Sequence, residues 1–193
     1  ADFARMTDDT YTVNQILRME GIILQQCQFR LTTATPFSFF EWYLQDLRAA
    51  FSDAKKEKED RWTDDVLEEV LDHTRQVGLY LLNLTLLSAQ MLSFLPSAKA
   101  ISALRLALHV GAQRARDISS DEAADVFEDA FKTVDPHAVR SGARRIQVLH
   151  AQARAAMAEV GSTDYDRDRD IYVGVREKFF TPGRTRGRVL MMI

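Results

Sequence analysis

The chain has 193 residues, 46% hydrophobic and 27% charged, and its 25 basic against 28 acidic side chains leave a formal charge of −3. That balance supports a sizeable core in one domain or one and a part, and it does not give the basic excess expected of a nucleic-acid binder. Cys27 is the single cysteine, which excludes an internal disulfide and fits a reducing compartment.

The chain opens at Ala1 without an initiator Met and without a signal peptide, so it is expected to be a piece of something longer. Thr12 followed three residues later by Gln15 has the form of a capping box, and a helix is expected to start there. Ile16, Met19, Ile23 and Cys27 then recur at helical spacing, with Leu17, Leu24 and Phe29 widening the stripe. The pattern predicts a helix buried on more than one side, with Cys27 as a buried thiol. Glu20 sits on this mostly apolar element, either on a solvated face near its rim or held by a partner, because burying an unpaired charge is costly.

Pro36 suits the first turn of a helix over Phe39, Phe40, Tyr43, Leu44 and Leu47. The mixed-charge run from Asp53 to Asp60 reads as a solvated loop or helix end. A long helix is expected from about Thr63, carrying Val66, Val70, Val77, Leu81, Leu84 and Met91 on one stripe and reaching a break at Pro96. Its stretch from Gln76 to Ala98 has no charged residue. A membrane span takes ~20 apolar residues, but Asn83, Thr85, Ser88, Gln90 and Ser93 interrupt this one, so a buried helix is predicted and no membrane role.

Ile101, Leu104, Leu108 and Gly111 then alternate with Ala100, Ala103 and Ala107, small side chains that suit a central helix closely approached by its neighbours. Ser120, ahead of Asp121 and Glu122, is expected to open a short helix with Val126, Phe127 and Phe131 on its apolar face. Asp135-Pro136 opens a final helix whose stripe runs through Val139, Ala143, Ile146, Leu149, Ala153, Met157 and Val160, with Gly161 ending it. No alternation of period two persists, so the fold class is all-α.

Several of these runs carry a family resemblance. Thr7-Asp8-Asp9-Thr10-Tyr11-Thr12, the pair Met19-Glu20 and Phe29-Arg30-Leu31 resemble the end of the first cyclin box of mitotic A- and B-type cyclins. Leu81 to Leu87, Phe94-Leu95-Pro96-Ser97 and Ala103 to Leu108 resemble the second box, with Ser88 standing where the family usually carries an acidic residue. Val175-Arg176-Glu177-Lys178-Phe179 resembles the segment after the last cyclin helix. The resemblance implies the end of a first box over residues 1–31, a five-helix C-terminal cyclin box over 32–160 and an extension over 161–193.

The resemblance also implies a function. The chain would be a regulatory subunit and no enzyme, binding and activating a cyclin-dependent serine/threonine protein kinase in cell-cycle control at mitosis, in nucleus and cytoplasm, without cofactor or metal. Glu20 matches the glutamate that grips the kinase's regulatory helix together with a lysine of the first box, and Leu24, Phe29 and Leu31 match the apolar residues on which that helix packs. The other reading of those three is that they fill the core between two boxes. The first four helices of the first box would precede Ala1, so the chain alone is expected to activate poorly and to self-associate through its uncovered half box.

The alternative is a transcription-type cyclin, or a cyclin-fold general transcription factor that binds DNA or the transcription machinery. Arg184-Thr185-Arg186-Gly187-Arg188 would serve it, but the net acidic charge argues against direct nucleic-acid binding. His73, His109, His137 and His150 lack metal-ligand spacing, and no Gly-rich phosphate loop follows a strand, so the residues suggest no enzyme.

Overall fold

The structure is a computed structural model that describes residues 2–8, 10–56, 62–114 and 118–158. No strand occurs among them, in agreement with the all-α expectation. The chain divides into two units, Ala1–Ala34 and Thr35–Ile193. The first holds α1 (Asp2–Met6) and α2 (Val13–Gln26). The second holds α3 (Pro36–Lys55), α4 (Asp64–Thr85), a 3₁₀ helix (Ala89–Ser93), α5 (Pro96–Arg114), α6 (Ser120–Ala130) and α7 (Pro136–Ala158).

Each start in the second unit has a local cause. The Thr35 hydroxyl accepts from the Ser38 amide at 3.2 Å, and Pro36 occupies the first turn of α3, where an N–H would have no helical partner anyway. Thr63 caps α4 by accepting from the Val66 amide at 3.3 Å, and the Asp135 carboxylate accepts from the His137 amide at 2.9 Å as α7 begins. Helix α6 opens at Ser120 as expected, and its cap is the preceding Ser119. Only Ser119 has a glutamate three residues on, and the Glu122 carboxylate accepts from the Ser119 amide at 3.0 Å.

Helix α4 stops at Thr85 and does not run on to Pro96. Its last turn tightens to i→i−3 bonding, from the Leu86 amide to Asn83 O at 3.2 Å and from the Leu87 amide to Leu84 O at 3.1 Å. The Asn83 amide group and the Thr85 hydroxyl also donate back to the carbonyls of Leu79 and Leu82, both at 2.7 Å. Such side chains offer the backbone a competing partner and favour a stop. The uncharged stretch is thus split: Val77, Tyr80, Leu81, Leu82 and Leu84 are buried, whereas Leu86, Leu92 and Leu95 are exposed. No helix among the described residues is long and apolar enough to cross a membrane.

Helix α5 is the centre, as its composition suggested, and it packs on α3, α4, α6 and α7. Ala100, Ala103, Ala107, Gly111 and Ala112 are all buried on it. A Cβ at Gly111 would come within 2.7 Å of the Thr74 hydroxyl and 3.1 Å of the Val70 carbonyl, so α4 and α5 meet nearly backbone to backbone. Across the other side, Ser102 donates to Val139 O at 3.0 Å and lies against Gly142 of α7. Gly78 of α4 lies in the same way under the ring of fully buried Phe40 from α3. An ion pair of Arg75 with Glu41 at 2.8 Å, and another of Arg48 with Glu68, tie α3 to α4 at the surface.

One polar pair reaches into this core. The Tyr80 hydroxyl and His150 Nδ1 are 3.0 Å apart, and the rings meet edge to face at 5.6 Å between centroids. Burial, and after it the charge of Arg154, hold His150 below its ordinary 6.5. His73 is lowered too, by burial and Arg114, against an opposite pull from Glu69 and Asp72. The Nε2 atom of each ring is buried without a hydrogen-bond partner, which disfavours a second proton.

Two outcomes are expected. Replacing Gly78 with Val drives two methyl groups into the Phe40 ring and should lower unfolding free energy by about 2 kcal/mol, read from the urea midpoint. For acidification the sign follows from neutral imidazoles in the fold and protonated ones in the unfolded chain. Their contribution is full above 6.5 and is lost as pH falls below that value toward the lowered folded pKa values. The urea midpoint should therefore hold steady above about pH 7 and fall as the pH drops below about 6.5, with His150→Gln removing part of that fall.

Candidate functional site

The first unit is built around one capped helix. The Thr12 hydroxyl accepts from the Gln15 amide at 3.3 Å while Gln15 Oε1 accepts from the Thr12 amide at 2.8 Å, and α2 begins at Val13 as the capping box requires. Upstream, α1 closes where the Thr7 hydroxyl donates to Ala4 O at 2.8 Å, and Ala4 is the buried contact of this short helix.

No residue of α2 is buried, contrary to the double-sided burial expected from its stripe. The reason is size: the other element of this unit, α1, has five residues and cannot cover a helix of 14. Leu17 is 56% exposed and Met19 55%, Ile22 and Ile23 are exposed beside them, and Cys27 is an exposed thiol and not a buried one. Burying such a side chain is worth ~1.5–3 kcal/mol, so a contiguous apolar face left in water gains stability from whatever protein surface covers it.

The four residues singled out by resemblance fall in two places. Glu20 and Leu24 are one turn apart on α2 and line the same groove, together with Ile16, Met19 and Ile23. Glu20 is exposed, Leu24 is half-buried, and Glu20 has no ion-pair partner among the described residues. Phe29 and Leu31 lie beyond the helix, 67% and 64% exposed, and are not among the residues that line this groove. Ile22 and Phe3, which stood out in no sequence pattern, extend the exposed apolar surface together with Tyr11 of the Thr7 to Thr12 motif.

The chain reaches Phe29 through an unusual turn. Gln28 and Phe29 both take left-handed backbone angles, with φ of 51° and 55°. The Phe29 amide closes the end of α2 on Leu24 O at 2.9 Å, and the Leu31 amide then bonds to Phe29 O at 3.1 Å. A left-handed conformation costs a side-chain-bearing residue about 1–2 kcal/mol, so two in succession hold Phe29 and Leu31 out at the expense of local stability.

Residues 34–165 match the family model described as the cyclin C-terminal domain. The chain belongs to the cyclin family. Within the cyclins it is similar to mitotic members: it is 38% identical to Cyclin-A1-2 of Arabidopsis thaliana over 106 residues, which are 55% of this chain and 20% of that protein. It is 36% identical to G2/mitotic-specific cyclin-B2 of Rana japonica over 110 residues, 57% of this chain and 23% of that protein. With G2/mitotic-specific cyclin-A of Drosophila melanogaster the identity is 29% over 110 residues, 56% of this chain and 18% of that protein. The chain thus spans about a fifth of the length of the cyclins it matches. No solved structure matches it. Cyclins are typically non-catalytic regulatory subunits of kinases. Gly161, Val175 to Phe179 and the Arg184 to Arg188 run lie outside the described residues.

Glycine takes φ near 50° at little cost, so Gln28→Gly should relax the turn after α2. Hydrogen exchange is expected to slow about fivefold at the Phe29 amide, corresponding to a gain of about 1 kcal/mol.

Proposed function

We propose that the chain is the kinase-binding part of a mitotic-type cyclin, a regulatory subunit that docks on a cyclin-dependent serine/threonine protein kinase and activates it. The observation that carries the reading is the apolar face of α2, left exposed around Glu20 in a chain that belongs to the cyclin family. Residues 1–31 are the end of a first cyclin box in this reading, 32–160 the second box and 161–193 an extension. The working sites are the nucleus and cytoplasm of dividing cells.

The physics is that of a helix laid against an apolar groove. Met19, Ile23 and half-buried Leu24 offer the floor, Phe29 and Leu31 offer two further anchors, and Glu20 offers a carboxylate to the backbone or basic groups at the edge of the incoming helix. A few side chains that become fully covered supply most of the energy of such contacts. The cyclin supplies position, and the kinase carries out phosphoryl transfer once its regulatory helix is turned inward.

Calorimetric titration against a monomeric cyclin-dependent kinase tests this reading. The double change Phe29→Ala/Leu31→Ala is expected to weaken binding about 30-fold, near 2 kcal/mol, and Glu20→Ala about tenfold. Leu92→Ala, an exposed apolar residue of the other unit, should leave affinity unchanged. Equal affinity for all four proteins would rule out the α2 face as the docking site.

A further inference from the structure

Helix α7 has a second, unused face. Val139, Ala143, Ile146, Leu149 and Ala153 turn into the core. Between them, at the same helical interval, His137, Arg140, Ser141, Arg144, Arg145 and Val148 line a groove of about 760 Å³ whose far wall is Phe94, just after the 3₁₀ helix. No acidic residue lines it. Elsewhere in this unit Arg48, Arg75 and Arg105 each hold a carboxylate, but Arg140, Arg144 and Arg145 have no ion pair among the described residues. Arg140 and Arg144 are exposed on this face, so their guanidinium groups are open to an incoming acceptor.

We propose that this groove docks an extended acidic segment of a partner protein. Guanidinium groups bind carboxylates through paired hydrogen bonds, and here they are strung along the groove and do not converge on one point. From His137 to Val148 the helix rises about 16 Å, which an extended segment of about five residues covers. A strip of that kind fits carboxylates spread along a peptide better than a single phosphate. Phe94 and Val148 give apolar contacts to side chains flanking the acidic run. A long polyanion is disfavoured, because it would run past the groove onto a chain that is net acidic.

Fluorescence anisotropy of the 193-residue chain with a short fluorescein-labelled poly-glutamate peptide tests the proposal. Two further probes run beside it, an otherwise neutral peptide with one phosphoserine and a single-stranded DNA oligonucleotide. The poly-glutamate peptide should bind tightest and weaken with salt. Arg140→Glu/Arg144→Glu should weaken it at least about tenfold, while the charge-matched Arg18→Glu/Arg30→Glu in the first unit leaves it unchanged. Circular dichroism checks that the variants stay helical, and Arg140→Gln/Arg144→Gln replaces the reversal if it unfolds. Tighter binding of the phosphoserine peptide or of DNA would overturn the proposal. So would equal loss in both double variants, or no binding of poly-glutamate at low salt.

Discussion

Four helices can rest on a fifth only if its surface is narrow enough for them to come close, and that closeness is the constraint on which the second unit depends. Along α5 it is met by side chains of one carbon or none: Ala100, Ala103, Ala107, Gly111 and Ala112 are all buried. The neighbours answer with gaps of their own, Gly142 of α7 beside Ser102 and Gly78 of α4 beneath Phe40. Interiors packed at crystal-like density transmit any added methyl to the next helix, so these positions fix where α3, α4 and α7 lie. The fixed geometry of α7 in turn determines what its outer face displays.

The two units use apolar side chains for opposite ends. In the second unit the large residues Phe40, Phe51, Trp62 and Tyr80 are wholly inside and stabilise the bundle. In the first, residues of the same kind stand in water along α2 and in the turn after it, where Gln28 and Phe29 are held in left-handed backbone angles. Apolar groups kept exposed, with two more displayed on a strained turn, add nothing to the stability of this unit by themselves and leave a face that another protein surface can cover. In the proposed function that partner is a protein kinase, and the exposed carboxylate of Glu20 would give the contact a polar edge.

Much of the architecture was legible in the sequence because helix starts are written in local chemistry. Thr12 with Gln15, Pro36, Thr63 and Asp135 each mark a start by supplying an acceptor, or by lacking a donor, at a helix end. The stop of α4 was not legible, since the bonds from Asn83 and Thr85 back to the chain leave no trace in hydropathy. Nor was the exposure of α2: a 3.6-residue period shows that a face is apolar and says nothing of what covers it. The basic groove on α7 was missed because net charge sums the whole chain, and the acidic residues of α6 cancel arginines that stand on a different helix. The binding role given to Glu20, Leu24, Phe29 and Leu31 came from family resemblance alone, since periodicity put Leu24 and Phe29 on a stripe expected to be buried.

The central claim is that α2 and the turn after it are the surface a kinase covers. Hydrogen–deuterium exchange of the chain, measured with and without a monomeric cyclin-dependent kinase, tests it most directly. The account predicts slowed exchange concentrated in residues 13–31. Protection confined to α3–α7, or none at saturating kinase, would contradict it.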